Sequence, residues 1–374
     1  MMMSYFVSVR LVLVSGILSI AAISSATKSF AAAAESNFSS GKKVGVLFSS
    51  FGDVDRPDEI ESFVKNTLRD PDVAPIPRLM RPFVAEWAWM KSKKDIVAEY
   101  AAIGNATHFR TNSALQAEAV AGELRKKGFY AKGYHGFTMV NPFLFDALSQ
   151  ARRDGVEELV VFYQGAQWSK PTSFIVYRET KRYLAAHPEW KVRATMVRSF
   201  SDDARFQKLI GDGIESRLNS EFAGLSPSDV CIVLPAHGNP TLYNDQGDPA
   251  YDQMLRVFRY VQKRFSAHPV FYGFQNHSEL PGSRWTQPEM SAVIRGVGEN
   301  SCQNVLINGR TSFTVDSLET LYDHGIKEVE ELHGIAPQKR VYVEKMFNAD
   351  EEFARLLASL AGEALRGEGD ISGL

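Results

Sequence analysis

His237 follows an apolar run and precedes a sharp turn, in the order Cys231-Ile232-Val233-Leu234-Pro235-Ala236-His237-Gly238-Asn239-Pro240. Gly238 lets the backbone turn tightly and Pro240 fixes the exit, so the imidazole is held at a strand end. A side chain that titrates near neutrality in such a place suits a base or a metal ligand. The competing role is structural, a side-chain bond that closes the turn. Glu319 and Asp323 are spaced i, i+4 and share one face of a helix, with Asp316 or Ser317 able to cap its start. Turned outward they are a solvated face. Turned inward they offer hard oxygen ligands to a divalent cation.

The rest of the chain must bring these groups together. Short β-rich runs alternate with helical patterns. The strands are expected at Val44–Ser49, Tyr130–Tyr134, Leu159–Tyr163, Arg193–Val197, Cys231–Pro235, Val270–Gly273 and Val305–Ile307. Helices are expected around 57–69, 82–100, 113–127, 141–153, 173–186, 202–220, 249–265, 286–297, 316–324 and 349–364. Nearly continuous apolar strands between helices predict an α/β fold with mostly parallel sheets covered on both faces. Ligands bind beyond the carboxyl ends of such strands, which is where His237 and the segment leading to Glu319 fall.

Bulk composition narrows the function classes. The chain has 374 residues, 44% hydrophobic and 23% charged, with a net charge of −2. That is ordinary globular composition, and no basic field points to nucleic acid. The two cysteines, Cys231 and Cys302, are in no CxxC pair, so a cysteine-rich metal site is not expected. Two buried, inert thiols are the expectation, with a disulfide left open. Residues 1–34 have a short basic start at Arg10, then the apolar run Leu11–Ala22, small residues at Ser24, Ser25, Ala26 and Ala31–Ala34, and no acid. This is the layout of a signal peptide, cleaved after Ala26 or near Ala34, and it predicts export, for instance to a periplasm. The apolar run is short for a membrane span, and no later segment is apolar enough for one.

Several motifs, in order, resemble the ferrochelatase family (class II, chelatase-like tetrapyrrole metal chelatases). Ala236-His237-Gly238-Asn239-Pro240 resembles its S-A-H-G-x-P, and Gly247-Asp248-Pro249-Ala250-Tyr251 its G-D-P-Y with one residue inserted. Phe274-Gln275-Asn276 through Trp285-Thr286-Gln287-Pro288 resembles Y-Q-S-R…W-x-x-P. Thr314–Tyr322 resembles F-V-x-D-H-x-E-T-L. Tyr100-Ala101-Ala102-Ile103-Gly104 followed by Gln116-Ala117 resembles Y-x-x-I-G-G…Q-A. Val44-Gly45-Val46-Leu47 and Ser169…Thr172 fall in the expected order. The match runs over roughly residues 42–335.

The resemblance implies two similar doubly wound halves with a porphyrin cleft between them. The halves are expected at 42–220 and 229–335, with a C-terminal helix and tail at 336–374. It implies a lyase of haem and porphyrin biosynthesis that inserts a divalent metal, Fe2+ by default, as a substrate and without a tightly bound cofactor. Co2+ and Zn2+ remain open. His237 and Glu319 become the catalytic pair, and His237, Glu319 and Asp323 the metal-handling set. Leu79–Met90 falls where the family has its porphyrin lip, so Phe83, Trp87, Trp89, Met90, Lys91, Ser169 and Trp285 are the expected porphyrin contacts. Trp87 and Trp89 cannot both face the ring from one helix, and Lys91, Lys93 and Lys94 suit its propionates.

The chain also departs from the family pattern. The histidine two before the catalytic glutamate is Ser317, and the next acid of the ladder is Lys327. The L-G-T-P turn reads Ser50-Phe51-Gly52-Asp53, the second Gly after Ile103 is Asn105, and Y-Q-S-R reads Phe274-Gln275-Asn276-His277, which offers His277 as an extra ligand. Two further readings stay open. One is an exported haem- or tetrapyrrole-binding protein without turnover, and the other is a cobaltochelatase acting on a corrin precursor.

Overall fold

The computed structural model describes residues 41–74, 76–275 and 284–374. The expected signal peptide and His277 lie outside these residues. The strands are β1 (Lys43–Ser49), β2 (Tyr130–His135), β3 (Glu158–Tyr163), β4 (Arg193–Val197), β5 (Val230–His237), β6 (Val270–Gln275), β7 (Asn304–Ile307), β8 (Arg340–Val343) and β9 (Ile371–Gly373). The helices that matter below are α1 (Ile60–Arg69), α2 (Arg81–Ala102), α3 (Phe109–Lys126), a π-helix (Glu319–Lys327), α4 (Glu328–Ile335) and α5 (Glu351–Arg366).

Two sheets form, in the orders β2-β1-β3-β4-β9 and β6-β5-β7-β8. The four leading strands of each follow one plan: the first strand of the half pairs with the second on one side and the third on the other, all parallel. The halves are thus doubly wound copies of one topology, and each has its switch point where the chain reverses direction. In the first half that point lies at the ends of β1 and β3, and in the second at the ends of β5 and β7. The central strands β1, β3 and β5 are buried along almost their whole length, because helices cover both faces.

Two strands escaped the sequence reading. Arg340–Val343 is short and only half-buried, so it lacks a buried-strand signature, yet it extends the second sheet beyond residue 335. Ile371–Gly373 pairs antiparallel with β4 on the first sheet. The last helix, α5, also returns to the first half, where Phe353, Leu357, Ala361 and Leu365 join one apolar cluster. That cluster includes Phe48 and Phe162 of the first sheet and Ile232 and Leu234 of the second. The C-terminal segment therefore belongs to both halves and ties them together.

The expectation of two inert thiols is corrected. Cys231 and Cys302 are joined as a disulfide, with their Cα atoms 5.8 Å apart. β5 and the segment that leads into β7 run side by side, which brings the two sulfurs within bonding range inside the second core. The bridge closes a separation of 71 residues. A loop of that length restricts the unfolded chain enough to stabilise the fold by roughly 4 kcal/mol. The Cys231→Ala/Cys302→Ala double variant should unfold at clearly lower urea than the oxidised wild type. Equal midpoints would show that the bridge contributes nothing.

Candidate active site

β5 continues two residues past its expected end, so His237 is the last residue of the strand rather than the first of the loop. It lies in register with Gln275 of β6. Its Nδ1 is 2.7 Å from the Gly238 carbonyl. A carbonyl only accepts, so Nδ1 carries a proton and Nε2 is the atom through which the ring exchanges a second one. The turn beyond is laced to the segment around Trp285. Thr241 N donates to the Arg284 carbonyl at 2.8 Å, Thr286 N to the Asn239 carbonyl at 3.0 Å, and Asn239 N to Thr286 Oγ1 at 3.1 Å. Trp285 is buried in this bracket and holds the His237 turn. Gln275 was not singled out from sequence. It is buried beside His237, and neither of its amide atoms has a hydrogen-bond partner among the described residues.

Glu319 opens a π-helix, where an α-helix over 316–324 was expected. The Glu328 amide donates five residues back, to the Asp323 carbonyl. In so wide a turn, residues four apart still lie side by side, so Glu319 and Asp323 keep a common face. Neither expected residue caps this helix. The Asp316 carboxylate accepts from Met346 N at 3.1 Å and Asn348 Nδ2 at 2.7 Å. Ser317 Oγ donates instead to Glu319 Oε2 at 2.7 Å, so the residue in the family's histidine position orients the carboxylate directly. Asp323 is buried, which raises its pKa. Lys327 Nζ at 3.4 Å opposes the rise, Glu319 adds to it, and His237 is close enough to lower it.

The partner of the helix start comes from the first half. Leu318 N donates to Asp53 Oδ2 at 2.8 Å, and Asp53 Oδ1 accepts from Val54 N and from Tyr100 Oη, both at 2.6 Å. Asp53 is only 3% exposed. Burial, and then the charge of Glu319, push its pKa up to about 7. Asp53, Tyr100, Tyr163, Ser317 and Glu319 line one cavity of about 140 Å³ at the first half's switch point. Burial also pushes Tyr163 up to about 12 and Tyr100 further, so both keep their protons. Gly52 makes the turn possible. Its φ is +85°, and a Cβ there would meet Val140 Cγ1 at 2.5 Å. Asp53, Tyr100 and Tyr163 were not recognised as site residues from sequence. A turn aspartate and two tyrosines are unremarkable until the two halves meet.

The remaining candidates are placed as follows. Phe83, Trp87 and Met90 are 71%, 59% and 58% exposed along one side of α2. Lys91 Nζ sits 5.2 Å from the Trp87 ring centre. Trp89 turns inward and packs beside Ile60 and Tyr100, as the helical spacing requires. Ser169 is buried, with its hydroxyl engaged by Asp248 Oδ2 at 2.9 Å, and it bridges the halves. Among the described residues no group of three or more His, Cys, Asp and Glu is arranged to hold a metal, so His237, Glu319 and Asp323 do not form a closed three-ligand cage. His324, within the π-helix, and Glu328, just after it, are buried and have no side-chain hydrogen-bond partner among the described residues. Burial pushes His324 down to about 3 and raises Glu328 well above the usual carboxylate range.

The pKa of Asp53 sets a pH dependence. The group's ordinary value is 3.8, so between that value and about 7 the folded chain holds a proton that the unfolded chain has released. The associated stability is full below that window and is lost as pH rises through it. Asp53→Asn removes this titration. The unfolding free energy of the wild type minus that of the variant should fall with rising pH, with a slope approaching roughly 1.4 kcal/mol per unit. Denaturant melts at closely spaced pH values test this, and a difference independent of pH would contradict it.

Known proteins resemble this chain along nearly its whole described length. The Ferrochelatase family profile matches residues 43–365. A ferrochelatase of Rippkaea orientalis is 28% identical over 330 residues, covering 87% of this chain and 83% of that protein. One from a Synechococcus strain is 28% identical over 324 residues, covering 85% and 92%. Among solved structures, SirB from Bacillus subtilis with Fe3+ superposes with a TM-score of 0.51 at 13% identity, covering 88% of this chain and 99% of that one, which supports the shared fold. The doubly wound pair of halves, the strand-end histidine and the match across both halves agree: the chain belongs to the ferrochelatase family of metal chelatases.

Proposed function

We propose that this protein inserts a divalent metal, Fe2+ by default, into a porphyrin, with His237 and Glu319 as the proton-accepting and metal-delivering pair. The observation that carries this reading is a strand-end histidine close enough to act on the buried Asp323 of the helix that Glu319 opens, inside a ferrochelatase-family fold. Insertion releases two pyrrole N–H protons as the metal forms its bonds to nitrogen. A neutral imidazole takes one such proton readily near neutral pH. Asp323 is buried with Glu319 half-buried beside it, and a buried carboxylate gains most from a positive partner. Phe83, Trp87 and Met90 suit the flat apolar face of the macrocycle, Lys91 its carboxylates, and Trp285 the turn beside His237.

In an insertion assay with porphyrin and Fe2+, Zn2+ or Co2+, the visible bands of the free macrocycle should convert to those of the metallated one. His237→Ala should lower the rate by roughly 10²–10⁴-fold while porphyrin binding stays largely intact. Wild-type protein that inserts no metal above background would refute the reading. One observation favours the non-catalytic alternative: Lys327 pairs with Asp323 and competes with an incoming cation. Tight porphyrin binding without turnover would support that alternative, while insertion of Co2+ into a corrin precursor alone would select the cobaltochelatase.

We also propose that the chain is exported. The apolar segment after Arg10 supports this, and so does the Cys231–Cys302 disulfide, since such bonds persist in oxidising compartments. Expressed in full in a bacterium, the protein should be recovered from the exported fraction, with a new N-terminus just beyond Ala26 or Ala34. An intact chain retained in the cytoplasm would argue against export.

A further inference from the structure

Asp53 stands in the turn after β1, and the L-G-T-P pattern that this turn resembles contains no acid. Asp53 is 3% exposed and binds three donors from three parts of the fold. These are its own turn through Val54 N, α2 through Tyr100 Oη, and the π-helix through Leu318 N, which lies 265 residues away in sequence. The first amides of any helix lack intrahelical acceptors and carry partial positive charge. Here the nearby acid, Asp316, is committed to the segment around Asn348, and the Ser317 hydroxyl is committed to Glu319. Asp53 supplies the missing acceptor from the opposite half.

We propose that Asp53 is a positioning residue for Glu319: it caps, in trans, the helix that carries Glu319 and joins it through Tyr100 to helix α2. This rests on the insertion reading above. The geometry gives the link a direction. Tyr100 lies near the end of α2, whose other end presents Phe83, Trp87 and Met90 to solvent. A macrocycle seated on that apolar side thus bears on the helix of Glu319 through two hydrogen bonds at one carboxylate. The contribution of Asp53 belongs to the insertion step rather than to porphyrin affinity.

The test uses the full-length mature protein and the variants Asp53→Ala, Asp53→Asn and Tyr100→Phe. For each, kcat for metal insertion, porphyrin Kd by fluorescence quenching, and hydrogen exchange over residues 317–323 are measured. Asp53→Ala should lower kcat at least tenfold, leave porphyrin Kd within about twofold, and speed exchange at the start of the π-helix. Asp53→Asn should recover part of kcat, because its one amide oxygen can turn to the place of Oδ2 and accept from Leu318 N, at the expense of the bonds from Val54 N and Tyr100 Oη. Tyr100→Phe should lower kcat less than Asp53→Ala does. If Asp53→Ala does not fold, the other two variants carry the same measurements. Unchanged kcat, a loss of kcat matched by a loss of porphyrin affinity, or unchanged exchange over 317–323 would overturn the proposal. If the wild type inserts no metal, the functional reading falls. Hydrogen exchange then decides the capping role: lost protection upholds it and retained protection overturns it.

Discussion

A helix that begins in a buried place must find acceptors for its first amides, and much of this protein's site follows from how that need is met. The π-helix starts at the junction of the two halves, where water cannot serve every amide. Its acceptor, Asp53, stands on the loop after β1, and that loop depends on the positive φ of Gly52. The carboxylates of the second half are thus set against the switch point of the first. The shared apolar cluster and the returning helix α5 hold the halves at the spacing this bond requires. Docking and site formation are one event.

The same junction concentrates negative charge where solvent is scarce. Asp53, Glu319 and Asp323 influence one another, and burial raises both Asp53 and Asp323. Several carboxyl groups in one desolvated region cannot all be charged cheaply, and that cost is what raises the buried members. Lys327 moderates the field, since its ammonium partly neutralises Asp323.

The fold was largely legible from sequence because buried parallel strands are nearly continuous apolar runs. Arg193–Val197 is found at its expected limits, and most other strands differ by one or two residues at an end. The strands that escaped were Arg340–Val343 and Ile371–Gly373, both short and at sheet edges, where burial leaves little mark on composition. The helix at 316–324 was displaced and widened, since local sequence does not distinguish an α-turn from a π-turn. Ser169 carries the right residue type for a porphyrin contact, but its hydroxyl serves Asp248 across the halves.

By itself, the sequence determined the alternation of strands and helices, the strand-end position of His237, the i, i+4 pairing of Glu319 with Asp323, and the ordered motifs that mark the family. These are local patterns, set by periodicity, turn chemistry and spacing along the chain. Only the tertiary structure decided that Cys231 meets Cys302, that Ser317 holds Glu319, and that Asp53 and Tyr100 belong to the same site. Each of the bonds to Asp53 from Tyr100 and Leu318, and the bridge between the cysteines, joins residues far apart in sequence. Such pairs leave no periodic trace, because their partners are fixed by strand order and by the docking of one half on the other.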